Sequence, residues 1–223
     1  MLEELFKQIP KNLLKESGEV FYSGKNAFSG KKKIYILGIN PGGSVENHIN
    51  DTIEKQAKNA IRFSKRNPNW SEYKDGQWEG KSPGTHVFQI RMNHLLKNLN
   101  LSPYYIPASN LVFVRSAREG NFNKSLYKEY AKLCWNNFHE KVINKLEIKI
   151  IICLGNTPGN FVRKKLKMGN DLIDSFAEKN KRKWQTKIYQ NEKKQKVIII
   201  PHPSISDWTT KECDPTKKLL KHI

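Results

Sequence analysis

The stretch Lys33–Gly43, KIYILGINPGG, decides how the rest of the chain is read. Its first half is a near-continuous apolar run, and its second half leaves regular structure abruptly at Gly-Ile-Asn-Pro-Gly-Gly. An apolar run without polar alternation is the pattern of a strand buried on both faces, as in a parallel sheet. The glycines allow unusual dihedrals and Pro41 fixes one, so a tight turn must follow. Three more runs have the same character: NLVFV at 110–114, IKIIICLG at 148–155 and VIIIP at 197–201.

Helical patterns separate these runs. Asp51–Arg66 places Ile53, Ala57, Ala60, Ile61 and Ser64 on one face. Val87–Leu99 is a second helix, and Ser125–Leu146 is the longest, with Leu126, Tyr130, Ala131, Cys134, Phe138 and Val142 at helical spacing. Strands alternating with helices predict an α/β fold: three α/β/α layers around a central, mainly parallel four-stranded sheet with right-handed crossovers. Residues 67–86, which carry Trp70 and Trp78 among prolines and glycines, read as a long loop. Residues 179–196 read as a basic hairpin or ribbon leading into the last strand. No repeat or low-complexity linker divides the chain, so 1–223 is expected to be a single domain with its core at about 34–208.

With 223 residues the chain can bury a proper core. Its 37% hydrophobic and 10% aromatic content excludes the disordered class. Lys+Arg number 40 against 21 Asp+Glu, a net charge of +19. Such an excess favours polyanions, nucleic acid first, although it also fits a lysine-rich solvated surface. Cys134, Cys153 and Cys213 are scattered, which excludes a disulfide framework and a four-thiolate cluster. The first two lie in apolar stretches and are expected in the core. The opening MLEELFKQIPKNLL mixes charges with leucines and does not read as a signal peptide, and no apolar run approaches the ~20 residues that span a bilayer. A cytoplasmic monomer without a membrane partner is the expectation.

In an open parallel sheet, ligands bind beyond the carboxyl ends of the strands. Two unusual turns follow such ends: Gly38–Gly43 after the first run and His202–Ser206, in VIIIPHPSISDW, after the last. Neither GxGxxG nor GxxxxGK[ST] is present. Either turn alone is weak. Each also has a bland reading, as a plain turn or a hydrogen-bonded structural histidine.

Taken together, these segments resemble the uracil-DNA glycosylase superfamily. GINPG (Gly38–Gly42) has the form of the first motif in the mismatch-specific branch, and is close to that of the single-strand-selective branch. HPS (His202–Ser204) looks like the second motif of the latter branch and of the main uracil-specific one. THVFQIRMNHLLKNL (Thr85–Leu99) is similar to the segment bearing the base-stacking aromatic, which points to Phe88. NLVFVRSAREGN (Asn110–Asn121) is similar to the strand whose asparagine reads the pyrimidine edge, which points to Asn110, and IICLGNTPGNFV resembles the third core strand and its turn. The likeness runs in order over about Ile34–Trp208.

The resemblance implies a monofunctional enzyme acting on DNA, single- or double-stranded, without metal or other cofactor. Cleaving an N-glycosidic bond builds positive charge on the sugar and negative charge on the base. The reaction therefore calls for a placed water, donors for the base anion and a pocket for an extruded nucleotide. Asn40 lacks basicity and is assigned water positioning. His202, neutral, would donate to the base oxygen, with the Ile39 N–H and neighbouring amides of the Gly38 turn assisting. Phe88 would stack on the base and Asn110 would read its edge. Ser204 is expected at a phosphate and Ile205 as a wedge into the vacated stack. Arg163, Lys164, Lys165 and Lys167, and Lys181, Arg182 and Lys183 beside Trp184, are candidate phosphate contacts. Glu46, His48 and Asp51 read as polarity at a helix start.

Two departures stand out. Ile-Ser-Asp-Trp follows His-Pro-Ser where small or leucine-bearing residues are usual, so Asp207 or Trp208 could alter the wedge. The segment between Gly43 and Phe88 is long, which leaves Trp70 or Trp78 as alternative stacking aromatics. Two other functions stay open: a nucleic-acid-binding module on the same fold without base excision, and a hydrolase of small nucleotides that uses the glycine-rich turn as an anion site.

Overall fold

The computed structural model describes residues 1–117 and 123–223. Its centre is a mixed sheet of six strands: β1 (Ile34–Gly38), β2 (Ala108–Asn110), β3 (Ile150–Leu154), β4 (Asp174–Ala177), β5 (Gln185–Gln190) and β6 (Lys196–Ile200). The order across the sheet is β2-β1-β3-β6-β5-β4. The first four in that order run parallel, while β5 is antiparallel to both β6 and β4. The expectation of four strands is therefore corrected to six. The basic ribbon is a true hairpin, and it begins earlier than its lysines suggest and joins the sheet.

Strands β1 and β3 are buried at every position. Their side chains alternate between two separate clusters. Tyr35, Leu37, Ile151, Cys153, Val197 and Ile199 face one, and Ile34, Ile36, Ile150, Ile152, Ile198 and Ile200 face the other. Burial on both faces explains the uninterrupted apolar runs. The first cluster is covered by α1 (Leu2–Phe6), by α2 (Ile53–Arg66) through Ile53, Ala57 and Ala60, by the helical stretch from Lys124 to Lys145, and by α7 (Asn156–Lys165) through Val162. The second is covered by α4 (Val87–Asn98) through Met92, Leu95 and Leu96, by Trp208, and by α8 (Thr216–Leu219) through Leu219. Leu2, Leu5, Ile9, Leu13, Phe21 and Phe28 are all buried, so the core extends well before residue 34 and, with Leu219, beyond 208.

Three predicted elements differ in detail. The run at 110–114 pairs only through Ala108–Asn110, after which Leu111 and Val112 donate to the Gly38 and Ile39 carbonyls. The long helix is α5 (Lys124–Cys134), a π turn (Trp135–His139) and α6 (Glu140–Lys145). The wide turn carries His139 into the core, where Tyr35 donates to its Nδ1 (2.9 Å) and its Nε2–H donates to the Leu111 carbonyl (3.2 Å). Burial lowers the basicity of His139 to a pKa of about 3, so it stays neutral. The expected loop 67–86 contains a one-turn helix, α3 (Glu72–Asp75), and is tied down by the Gln89 amide on the Glu72 and Gly76 carbonyls, both at 2.7 Å. Among the described residues, no helix is long and apolar enough to cross a membrane.

Candidate active site at the carboxyl edge of the sheet

From β1 the chain crosses to β2 on one side and then to β3 on the other. The strand order thus reverses between β1 and β3, which is where open sheets form their ligand crevice. The register aligns Asn110 with Gly38, Leu37 with Cys153, and Leu154 with Ile200, so these strand ends form one row. Asn40 and His202 each lie two residues past that row, on strands separated only by β3. Two strand spacings amount to ~10 Å. The two turns share one edge of the sheet.

The Asn40 turn is held from behind by residues 111–116. Leu111 and Val112 donate to the Gly38 and Ile39 carbonyls (both 2.9 Å), Ser116 N–H donates to Pro41 O (3.1 Å), and the Arg115 guanidinium holds Gly42 O. The Asn40 amide nitrogen donates to Pro41 O (2.8 Å) and Ser116 O (3.1 Å). Two carbonyl acceptors settle which end is nitrogen, leaving the Asn40 oxygen as an acceptor for a water. Among the described residues, no backbone carbonyl accepts from the N–H groups of Ile39 and Asn40. Gly38 is required by contact: a Cβ there would meet the Asn110 Oδ1 at 2.1 Å. Asn110 is itself buried, and its side chain lies across Gly38.

His202 is half-buried, and desolvation pushes its pKa down to about 4. The Ser204 backbone N–H points at its Nδ1 (3.2 Å), and the Ser204 hydroxyl lies 2.7 Å from the same atom. A backbone N–H can only donate, so Nδ1 is the acceptor and the proton sits on Nε2. Ser204 therefore orients the imidazole, a task the sequence reading did not assign to it. The Phe88 ring meets His202 edge-on at 5.3 Å, with Trp78 (5.3 Å) and Tyr73 (6.0 Å) packed on its other sides. Trp78 also donates its indole N–H to Glu72 (2.7 Å). Trp70 packs on Phe63 against the opposite cluster, which removes it as a stacking alternative. Gly155 (φ +107°), which opens α7, lies beside this turn: a Cβ built on it would stand 4.0 Å from His202 Cβ, so the positive φ rather than crowding calls for glycine.

The tail of the second motif is explained by packing. Trp208 is completely buried, Ser206 is bonded to the buried Glu178, and Arg91 holds Pro203 O (2.5 Å) and Asp207 (3.3 Å). Neither Asp207 nor Trp208 is available as a wedge. Ile205 is half exposed at the tip of this turn. The β4–β5 turn lies at the same edge. There Arg182 donates to the Ile205 carbonyl (2.7 Å) and stacks on Trp184 (4.8 Å), with Lys181 and Lys183 exposed beside it.

Arg163 and Lys164 are not brought to this edge. They end α7, which runs from the carboxyl edge back to the opposite one. Arg163 is committed to Gly169 O, to Asn170 (2.9 Å) and to the Tyr189 ring (4.8 Å). Of the Glu46, His48 and Asp51 group, His48 bonds Asp51 (2.9 Å) and borders Gly43, while Thr52 caps α2. The segment likened to the base-reading strand continues past Ala117 into Arg118–Asn121, which lie outside the described residues.

No family model matches the chain, and no curated protein matches it. The likeness to uracil-DNA glycosylases thus rests on the quoted motifs.

Sequence reasoning passed over Glu19. Residues 17–23 run antiparallel to 108–115 along the free edge of β2 and cover it, with Glu19 N–H on Phe113 O (3.0 Å) and Tyr22 N–H on Ala108 O (3.0 Å). Burial, reinforced by repulsion from Glu72, pushes the Glu19 carboxyl up to about 8, and burial raises that of Glu72 as well. Nothing local in the sequence marks this residue. Its environment is assembled from its own segment and three distant ones, around Asp51, Glu72 and Arg115.

Proposed function

We propose that this protein is a monofunctional DNA glycosylase that hydrolyses the N-glycosidic bond of uracil or a related damaged base in DNA, in base excision repair. One juxtaposition carries the reading: a neutral histidine and an asparagine whose Nε2–H and amide oxygen have no partner among the described residues, with an aromatic ring against the histidine, all at one carboxyl edge. The flipped base stacks on Phe88 while Asn110 reads its edge. As the C1′–N bond breaks, its electron pair moves onto the base, and His202 Nε2–H and the turn amides meet the charge developing on the base oxygen. The water held by the Asn40 oxygen adds to C1′, and its proton leaves with the base or to solvent. The products are a free base and an abasic sugar. Ile205 fills the vacated stack. The fold that serves this is a three-layer α/β/α sandwich, and the chain acts as a monomer on DNA without a cofactor.

The test is an excision panel of uracil, hypoxanthine, xanthine and thymine mismatches in single- and double-stranded oligonucleotides. Release of at least one free base, leaving an alkali-labile abasic site, supports the reading. DNA retardation with no release from any substrate favours a binding module instead, and turnover of free nucleotides alone favours a small-molecule hydrolase.

The basic residues should separate by position. Lys181→Ala is expected to reduce the slope of log K against log salt for DNA binding by about one, because one phosphate contact is lost. Lys164→Ala, at the far edge, should leave that slope unchanged. Equal effects from both would remove the carboxyl edge as the DNA-facing surface.

A further inference from the structure

We propose that Glu19 is a specificity-determining residue of the candidate site, its carboxyl group reading the adjoining C=O and N–H of an extruded keto base. The inference rests on the glycosylase reading and adds a residue that no motif supplies.

The backbone at Glu19 is fixed by contact. A Cβ on Gly18 would meet Phe113 O at 2.0 Å, and Glu19 N–H is bonded to that same carbonyl, three residues beyond Asn110. The groups that face the carboxyl come from every element around it. Tyr22 comes from its own segment; Glu72 and Tyr73 come from α3; Asp51, bonded to His48, comes from the turn before α2; Arg115 comes from the segment after β2. Two of these groups tie Glu19 to opposite halves of the site. Arg115 holds Gly42 O of the Asn40 turn. Glu72 holds the Trp78 indole, Trp78 packs on Phe88, and Phe88 meets His202.

Glu19 keeps partial solvent access, although desolvation dominates at its carboxyl. Arg115 attracts it, and the Arg115 Nε–H is buried with no partner among the described residues. Among the described residues, polar capacity is therefore left unspent on Arg115, which faces the Glu19 carboxyl.

The chemistry follows from the protonation state. Burial and the neighbouring Glu72 outweigh the attraction of Arg115, so the carboxyl is a neutral acid at pH 7. A neutral carboxyl offers one O–H donor beside one carbonyl acceptor, which complements the lactam edge of uracil, hypoxanthine or xanthine. A carboxylate offers only acceptors and would repel the keto oxygen, increasingly so as the leaving base gains negative charge. The competent form is therefore present at low and neutral pH and is lost as pH rises through about 8.

The experiment is calorimetric binding of free uracil and hypoxanthine to wild type, Glu19→Gln and Glu19→Ala from pH 6 to 9, with single-turnover excision measured in parallel. Glu19→Ala should bind about tenfold more weakly at pH 6. Wild type should lose a comparable factor by pH 9, whereas Glu19→Gln, which keeps a donor and an acceptor but cannot ionise, should hold its pH 6 affinity throughout. A pH dependence belonging to the base itself would persist in Glu19→Gln, and that result overturns the proposal. So does wild-type affinity in Glu19→Ala, or the absence of base binding. If Glu19→Ala does not fold, the comparison of wild type with Glu19→Gln decides. The expected binding pattern without release from any oligonucleotide would overturn the glycosylase reading while leaving the Glu19 assignment intact.

Discussion

Replacing His202 with alanine should lower the single-turnover rate of base release by about 10²–10³-fold, the usual loss when one preorganised donor to a developing anion is removed. Asn40→Ala should lose a similar factor through the misplaced water, while both variants bind DNA within about twofold of wild type. The His202 effect has a distinctive pH signature. Its pKa is pushed down to about 4 by desolvation, so the imidazole is neutral throughout the range in which the enzyme would be assayed. No histidine ionisation near 6.5, its ordinary value, should therefore appear in the wild-type rate profile. Ser204→Ala removes one of the two groups on Nδ1 but leaves the backbone N–H, so the tautomer is kept and the expected loss is smaller, about tenfold or less. Release by Asn40→Ala and His202→Ala at wild-type rates would show that the site lies elsewhere.

Trp208→Ala should cost ~3–5 kcal/mol of stability, the range for deleting a large buried aromatic. Trp208 is completely buried in the second core cluster, to which Leu95 and Ile198 also belong. Its indole N–H is buried without a hydrogen-bond partner among the described residues, so the loss is one of packing and not of polar contact. Trp208→Phe, which keeps most of the apolar area and removes the unpaired N–H, should cost less than ~2 kcal/mol. For a chain of this size the alanine variant should melt more than ~6 °C below wild type. It should also release base more slowly at temperatures where it is fully folded, because Trp208 anchors the turn that carries His202. A melting point within ~2 °C of wild type would refute the anchoring role.

The contrast between Trp208 and Ile205 shows why a motif's flank can mislead. Ile-Ser-Asp-Trp departs from the pattern after His-Pro-Ser, and in sequence any of these residues could approach DNA. In the folded chain Ser206 goes to Glu178, Asp207 to Arg91 and Trp208 to the core, so Ile205 alone remains at the tip. The basic segments divide in the same way. Lys181–Lys183 and Arg163–Lys165 look alike as charge runs. Only the first is placed at the edge occupied by Asn40 and His202, because β4 runs with the parallel strands and α7 runs against them.

The sequence alone determined the α/β class, the strands β1, β3 and β6 and the two turns that follow the first and last of them. A strand buried on both faces has no choice but to be apolar at every position, and a turn that must leave it sharply needs glycine and proline. It did not reveal β4 and β5 as sheet strands, because β4 is a short edge strand exposed at alternate positions and β5 mixes polar residues with its buried ones. Nor did it reveal that Leu2–Phe28 supplies core, since those apolar residues are dispersed among charges. The placement of Phe88 rather than Trp70 beside His202, the tautomer of His202, the contact that demands Gly38 and the surroundings of Glu19 were decided by tertiary structure. Each depends on distances between segments far apart in the chain, and such distances leave no local mark on composition or spacing.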